Sequence, residues 1–325
     1  MSNGPQIVSH GDFDGIVSSS LVGLWTKITF VFFTGPETVR GNQMGPKDVV
    51  CDLPHPAREV RAWFDHHPGN IEEARAMGWS AGEGAAYEAP SAARVIFDHL
   101  KDKTTFPPFM AQTVEAADRV DSMAYATIDE WLAETPENIV NNTIFLPGEE
   151  LREARRYLWR LVTDLQEHSL DEIVDFPEVL ERHQRTQEHA HRAAETIAKV
   201  GTLAAGGEIC VLDFSEMKVT PRFSKNLAYT VFPQASAVLS ISPVVMGGRR
   251  TNDLRLSLSL NPFLGGRNMF HNCAAILDQL QLGGGHAAAA GGKITSASKE
   301  ERLREKARVV EDIARLWLKQ TVANS

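Results

Sequence analysis

Ala62-Trp63-Phe64-Asp65-His66-His67 is the stretch on which the reading of this chain turns. Three apolar residues run straight into an acid and two imidazoles. That pattern predicts a buried strand that stops at polar chemistry. In an open α/β sheet, ligands gather outside the carboxyl ends of the strands. A carboxylate beside two imidazoles suits a transition metal better than Mg or Ca, whose shells are built from oxygen. Taken alone, so short a word fits a surface Asp with two solvated histidines equally well.

The same pattern recurs twice upstream. Ile7-Val8-Ser9 leads into His10-Gly11-Asp12-Phe13-Asp14-Gly15, and Val49-Val50-Cys51 leads into Asp52. Parallel strands gain nothing in stability from acids at their ends. Several like charges in one crevice are tolerable only when a cation neutralises them. Recurrence therefore favours a metal centre over coincidence.

The 325 residues leave room for two domains. With 43% hydrophobic and 23% charged residues the composition is that of an ordinary globular protein. A net charge of −9 argues against coating long nucleic acid through a general basic surface. Between Gly201 and Thr295, however, eight Lys or Arg stand against five Asp or Glu, which allows a local phosphate-binding face. Cys51, Cys210 and Cys273 show no CxxC spacing and read as small buried residues in a reducing compartment. No secretory pattern opens the sequence and no apolar run reaches membrane-spanning length, so the expectation is a cytoplasmic protein without membrane contact.

Strand-like and helix-like stretches alternate through residues 1–150. Strands are expected at Ile7–Ser9, Phe30–Phe33, Val49–Asp52 and Trp63–Asp65, and helices at Gly15–Leu24, at Ala92–Leu100 behind a Ser91 N-cap, and after Pro107-Pro108. Alternation of this kind predicts an α/β fold with a doubly wound parallel sheet. Residues 151–200 read as a helical connector, with His183, His189 and His191 solvated on its second helix. Residues 201–325 read as a smaller α/β domain with a mixed sheet. There Leu254, Leu256, Leu258 and Leu260 alternate with Arg255, Ser257 and Ser259. Helices are expected at Phe223–Val231, Asn268–Leu280 and Lys299–Lys319, and a strand at Lys293–Thr295.

Two constellations carry chemistry. His10, Asp12, Asp14, Asp52, Asp65, His66 and His67 supply the acids and imidazoles of a two-metal site, which can clamp the attacking and leaving oxygens of a phosphoryl displacement. A further acid comes from Glu115–Ser122, where Asp118 is favoured over Asp121. The second constellation is Gly283-Gly284-Gly285-His286, whose bare backbone amides can cradle a phosphate. Alone it is an ordinary glycine turn. With Arg249, Arg250, Arg255 and Arg267 in the same domain, substrate binding is the stronger reading.

These motifs, in this order, resemble those of the DHH phosphoesterases with the DHH-associated C-terminal domain, over nearly the full chain. The family includes RecJ-type exonucleases, small oligoribonucleases that also dephosphorylate pAp, and phosphodiesterases of linear dinucleotides. The resemblance implies two divalent metal ions, expected as Mn(II). His10, Asp12 and Asp52 would hold one; Asp14, Asp52, His66 and Asp118 would hold the other, with Asp52 bridging. It implies that Asp65 orients a ligand, that His67 faces the scissile phosphate, and that His286 with the glycine loop binds the substrate's terminal phosphate or nucleotide. The expected activity is hydrolysis of very short RNA (nanoRNA) to mononucleotides by metal-activated water, with short RNA or DNA oligonucleotides or small nucleotide phosphates as partners. Alternatives are a pAp phosphatase, a linear-dinucleotide phosphodiesterase, and a catalytically silent nucleotide-binding regulator. A homodimer is compatible with all of them. Many relatives carry Ser-x-Arg-Ser where this chain has Ser257-Leu258-Ser259; Arg255 is the candidate substitute.

Overall fold

The computed structural model describes residues 4–264 and 270–323. Arg267 and the expected helix start at Asn268 lie outside the described residues. The chain forms two compact units, Met1–Ala124 with Trp131–Thr186, and Tyr125–Glu130 with Gln187–Ser325.

The first unit runs β1 (Ile7–Ser9), α1 (Phe13–Thr26), β2 (Val31–Phe33), β3 (Val49–Cys51), β4 (Ala62–Asp65), α2 (Pro68–Ala76), β5 (Ala85–Ala86), α3 (Ala92–Leu100) and α4 (Met110–Asp121). After α5 (Ile128–Leu132), which straddles the division, come α6 (Pro136–Thr143), α7 (Leu151–Glu167) and α8 (Leu170–Ile173). The sheet is parallel throughout, in the order β2-β1-β3-β4-β5. Both faces are covered, so β1, β3 and β4 are buried along their whole length and read as unbroken apolar runs. One core joins α1 to α3, α4 and α7; a second packs Val8, Val50 and Trp63 against Val39, Ile71 and Ala74. Helix α1 is buried nearly all round. Its three serines turn inward and satisfy themselves on carbonyls and on Asp14: Ser19 donates to Gly15 O and Ser20 to Ile16 O and Val162 O.

Residues 151–186 are not the separate connector expected from the helical pattern. Tyr157, Leu158, Leu161, Val162 and Leu165 of α7 are buried in the same core as α1. Each such side chain contributes about 1.5–3 kcal/mol on burial, which makes α7 part of the first unit. The amphipathic period showed an apolar face and could not show what that face covers. Helix α9 (Pro177–Val200) begins in the first unit and ends in the second. Of its histidines, His183 is half-buried and lies 3.2 Å from Glu134 Oε1, while His191 is exposed.

The second unit continues with β6 (Gly201–Ala204), β7 (Ile209–Asp213), α10 (Ala228–Val231), β8 (Ala237–Met246), β9 (Arg249–Leu260), α11 (Cys273–Gln279), β10 (Gly283–Gly285), β11 (Ala289–Ile294) and α12 (Lys299–Ala323). Its sheet has the order β10-β11-β9-β8-β7-β6; β7 and β8 are parallel and the other pairs antiparallel. Leu254, Leu256 and Leu258 join Leu239 and Ile241 on one face, packed against Ile276 and Leu277 of α11 and Ile313 and Trp317 of α12. On the other face Cys210, Leu212 and Val238 pack under Phe214, Ala228 and Tyr229. All three cysteines are free and buried. Among the described residues no helix is long and apolar enough to cross a membrane.

The glycine run departs from expectation. Gly283–Gly285 form an edge strand rather than a loop, paired with β11, and the strand expected at Lys293–Thr295 runs Ala289–Ile294. His286 N donates to Ala289 O and Ala289 N to His286 O, closing a tight turn. Gly283 (φ 159°) and Gly285 (φ 149°) have backbones that a side chain would strain, and a Cβ at Gly283 would lie 2.1 Å from Gly291 O. Glycine and alanine have low strand propensity, which hid both strands.

Candidate metal centre

Strands β1, β3 and β4 are neighbours in the sheet, and their carboxyl ends deliver the three motifs to one place. Asp12 caps α1, its Oδ1 accepting from Gly15 N at 3.0 Å, while its Oδ2 lies 2.6 Å from His10 Nδ1. Asp52 follows β3 with φ 55°, a left-handed backbone that Asp tolerates at some cost. Its N–H still donates to Phe64 O, so the ladder with β4 continues through the bend. This conformation places Oδ2 3.8 Å from His10 Nδ1 and Oδ1 3.8 Å from His66 Nε2. Asp52 thus faces a histidine on either side.

Asp14 is buried in the first turn of α1 and accepts from Ala92 N at 2.7 Å and Ala93 N at 2.8 Å, the first amides of α3. Helix N-termini favour negative charge. His66 holds Nδ1 3.0 Å from Ala89 O, to which Nδ1–H donates, so that in the neutral ring Nε2 carries the lone pair. That Nε2 is buried with no hydrogen-bond partner. Around it lie Asp121 Oδ2 at 3.4 Å, Asp52 Oδ1 at 3.8 Å and Asp14 Oδ2 at 3.9 Å.

Asp118, the expected fourth-motif ligand, is not with them. Its Oδ1 accepts from Ser91 Oγ at 2.6 Å, and its Oδ2 accepts from Arg94 Nε at 2.9 Å and Nη2 at 2.7 Å. Asp121, one turn on at the end of α4, takes the place near His66. Residues three apart share a helix face, so spacing could not separate the two. The structure separates them by pairing Asp118 with Arg94. This arrangement gives Asp118 a different part: with Ser91 and Arg94 it pins the start of α3, whose amides hold Asp14.

Asp65 is fully buried at the end of β4. Its Oδ1 accepts from His66 N at 2.8 Å and lies 2.8 Å from His67 Nδ1, and its Oδ2 accepts from Asn70 Nδ2 at 2.7 Å. It holds the His67 ring and the main chain of His66. His67 is half-exposed, and the hydrogen bond to Asp65 raises its pKa above the ordinary value. His10 is raised in the same way by Asp12. Asp12 is lowered: burial opposes its ionisation, and the bond to His10 outweighs it.

The remaining acids move the other way. Burial, then the charge of Asp121, pushes Asp14 up to about 8. Burial and the surrounding aspartates hold Asp52 well above the carboxylate range, and burial raises Asp121. These carboxylates resist sharing the space as anions unless a cation lies among them. Among the described residues three groups of possible ligand atoms lie within 4.8 Å of one another: His10, Asp12 and Asp52; Asp14, His66 and Asp121; and Asp52, Asp65, His66 and His67. In the third, Asp65 is already engaged by the His66 and His67 amides, the His67 ring and Asn70, and Asp52 lies near both of the first two. A buried, lone-pair-bearing imidazole nitrogen ringed by carboxylate oxygens fits a divalent transition metal.

No family model matches the chain, and no curated protein does. Solved structures do. A pGpG-specific phosphodiesterase, PggH from Vibrio cholerae, is 24% identical, with 96% of this chain and 99% of that chain covered and a TM-score of 0.71. RecJ from Thermus thermophilus, in complex with Mn2+, is 16% identical with a TM-score of 0.54; 96% of this chain covers 52% of that one. The DHH domain of a member of the s1p family of ribosomal proteins is 14% identical, with 94% and 86% covered and a TM-score of 0.51. The chain therefore has the fold of these proteins over nearly its whole length.

Proposed function

We propose that this protein is a metal-dependent phosphodiesterase of the DHH type that hydrolyses very short oligonucleotides to mononucleotides. The observation that carries the reading is His66 Nε2, buried, without a hydrogen-bond partner and facing three carboxylates whose pKa values burial and one another's charge raise. Likeness to the pGpG-specific phosphodiesterase over both full lengths favours a 5′-phosphorylated linear dinucleotide as the preferred substrate.

His10, Asp12 and Asp52 would hold one divalent cation and Asp14, Asp52, His66 and Asp121 a second, with Mn(II) suited to this mixture of imidazole and carboxylate. Such a pair supplies Lewis acidity at a phosphoryl oxygen and lowers the pKa of water. The chain's own residues do the rest. Asp52 presents one oxygen to each histidine and fixes their spacing. The α3 amides keep Asp14 aimed inward. Asp65 accepts Nδ1–H of His67, which leaves Nε2–H of the imidazolium free to donate to a phosphate or leaving oxygen.

The test is a substrate panel with purified protein and Mn(II): RNA and DNA of two to five nucleotides, long single strands, pAp, a 5′-phosphorylated linear dinucleotide and pyrophosphate. Fastest release of mononucleotides from the dinucleotide is expected. Preference for pAp or pyrophosphate would overturn the diesterase reading, and nucleotide binding without turnover would make the protein a regulator.

A further inference from the structure

Helix α12 buries one face and leaves a second apolar row outside it. Val309, Ile313, Leu316 and Trp317 point into the core of the second unit. To one side of that face run Leu303, Ala307, Val310, Ala314 and Leu318, each three or four residues from the last, which is the spacing of one continuous helical stripe. Leu303 and Leu318 are each 41% exposed, and Val322, one turn beyond, is 76% exposed. From Leu303 to Leu318 the row is about 22 Å long at the rise of an α-helix. Single exposed leucines need no explanation, but a contiguous apolar row marks a contact surface.

The row looks towards the open side of the sheet. Lys306 Nζ donates to Asp213 Oδ2 at 2.6 Å at the end of β7, and Trp317 Nε1 donates to Glu208 Oε2 at 2.7 Å just before its start. Helix α12 therefore runs against β7 and along β6, which is antiparallel to β7. Two clefts separate it from these strands. One, of about 430 Å³, lies beside Ala307 and Val310 over Thr202 and Val211; the other, of about 630 Å³, lies beside Ala314, Leu318 and Val322 over Ala205 and Gly206. Strand β6 is the last of its sheet, and among the described residues no strand pairs with its outer edge. Gly201-Thr202-Leu203-Ala204 carries neither charge nor proline, the usual guards of an open edge, and Leu203 is 42% exposed.

We propose that this surface joins two copies of the chain, packed with their α12 helices antiparallel. The row is symmetric about a point between Val310 and Glu311: Leu303 faces the partner's Leu318, and Ala307 faces the partner's Ala314. A closed two-fold contact requires such self-complementarity, whereas a different protein would not. The alanines let the two helices approach closely. Charge follows the same symmetry. Glu311 is exposed and, among the described residues, in no ion pair; the antiparallel arrangement sets it beside the partner's Arg308. Arg304 comes near the partner's Arg315, but each keeps an acid of its own chain, Glu305 and Asp312. The second copy also shields the open edge of β6. The inference is independent of the proposed function.

The experiment sediments the full chain over a range of concentrations, beside Leu318→Glu, Arg308→Glu and Glu311→Arg. Wild type is expected to pass from monomer to dimer as concentration rises. Leu318→Glu puts a charge into the row and weakens the dimer by about ten-fold or more, with the thermal midpoint of the monomer unchanged. Leu303→Glu gives the same loss and serves if Leu318→Glu lowers that midpoint. Arg308→Glu and Glu311→Arg each weaken the dimer by about two- to five-fold, the range of an exposed ion pair. Mixed in equal amounts, these two variants recover the association as a heterodimer, because each supplies the charge that the other lacks. A wild type that stays monomeric at every concentration would overturn the interface and leave the row to a different protein. A dimer unmoved by both leucine variants, or charge variants whose mixture recovers nothing, would put the contact elsewhere on the chain and overturn it as well.

Discussion

Asp118 and Asp121 sit one turn apart on α4 with different partners, which makes them the sharpest residue-level test. Asp121→Asn removes a carboxylate 3.4 Å from His66 Nε2 and is expected to weaken Mn(II) binding and cut activity severely. Asp118→Asn leaves that set intact and loosens the Ser91–Arg94 clamp on α3. Its expected cost is about 10- to 100-fold in activity, the usual range for a residue behind a ligand. Calorimetric Mn(II) titration of both variants separates them, and equal loss of metal affinity would contradict the assignment. His67 offers a second test. Its folded pKa is raised by Asp65, so its contribution to stability is full below its ordinary value of 6.5 and is lost as pH rises through the folded value. Asp65→Asn removes that support and should move the alkaline limb of the pH–rate profile to lower pH. An unmoved limb would show that His67 is not the proton donor. At this scale the sequence made most of the site legible, because each motif ends a strand. It could not reveal that Arg94 withdraws Asp118, since that pairing joins two helices distant in sequence.

Among the elements, the β10–β11 hairpin was the least legible. A phosphate loop was expected from its glycines, whereas Gly283 and Gly285 are explained by positive φ and the close approach of β11. Gly283→Ala is expected to destabilise the protein by about 1–3 kcal/mol, the cost of a strained backbone position. Gly284→Ala, with open space above it, should change stability little. Chemical denaturation of both variants checks this, and equal effects would mean that composition rather than geometry dictates the run. Strands β1, β3 and β4 were legible because burial on both faces makes them continuous apolar words. Helix α7 was legible as a helix but not as part of the first core, because amphipathic period names a face and not its partner.

For the molecule as a whole, the raised carboxyls make metal and pH compete. Asp14, Asp52 and Asp121 bind protons more tightly folded than unfolded, where an Asp titrates near 3.8. Their stabilisation is therefore present below that value and is lost as pH rises through the folded pKa, about 8 for Asp14. Metal-free protein should gain more in thermal midpoint from Mn(II) at pH 8 than at pH 5.5, since the cation replaces protons. Equal gains at both pH values would show that these acids do not hold the metal.

The proposed role of the aspartate–histidine cluster is hydrolysis of phosphodiesters with the help of divalent cations. The most direct measurement follows mononucleotide release from a 5′-phosphorylated dinucleotide by chelator-treated protein, before and after Mn(II), alongside Asp52→Asn. No release is expected without metal, rapid release once Mn(II) is restored, and background rates for Asp52→Asn at any metal concentration. Release that ignores the metal, or an Asp52→Asn protein as active as wild type, would contradict it.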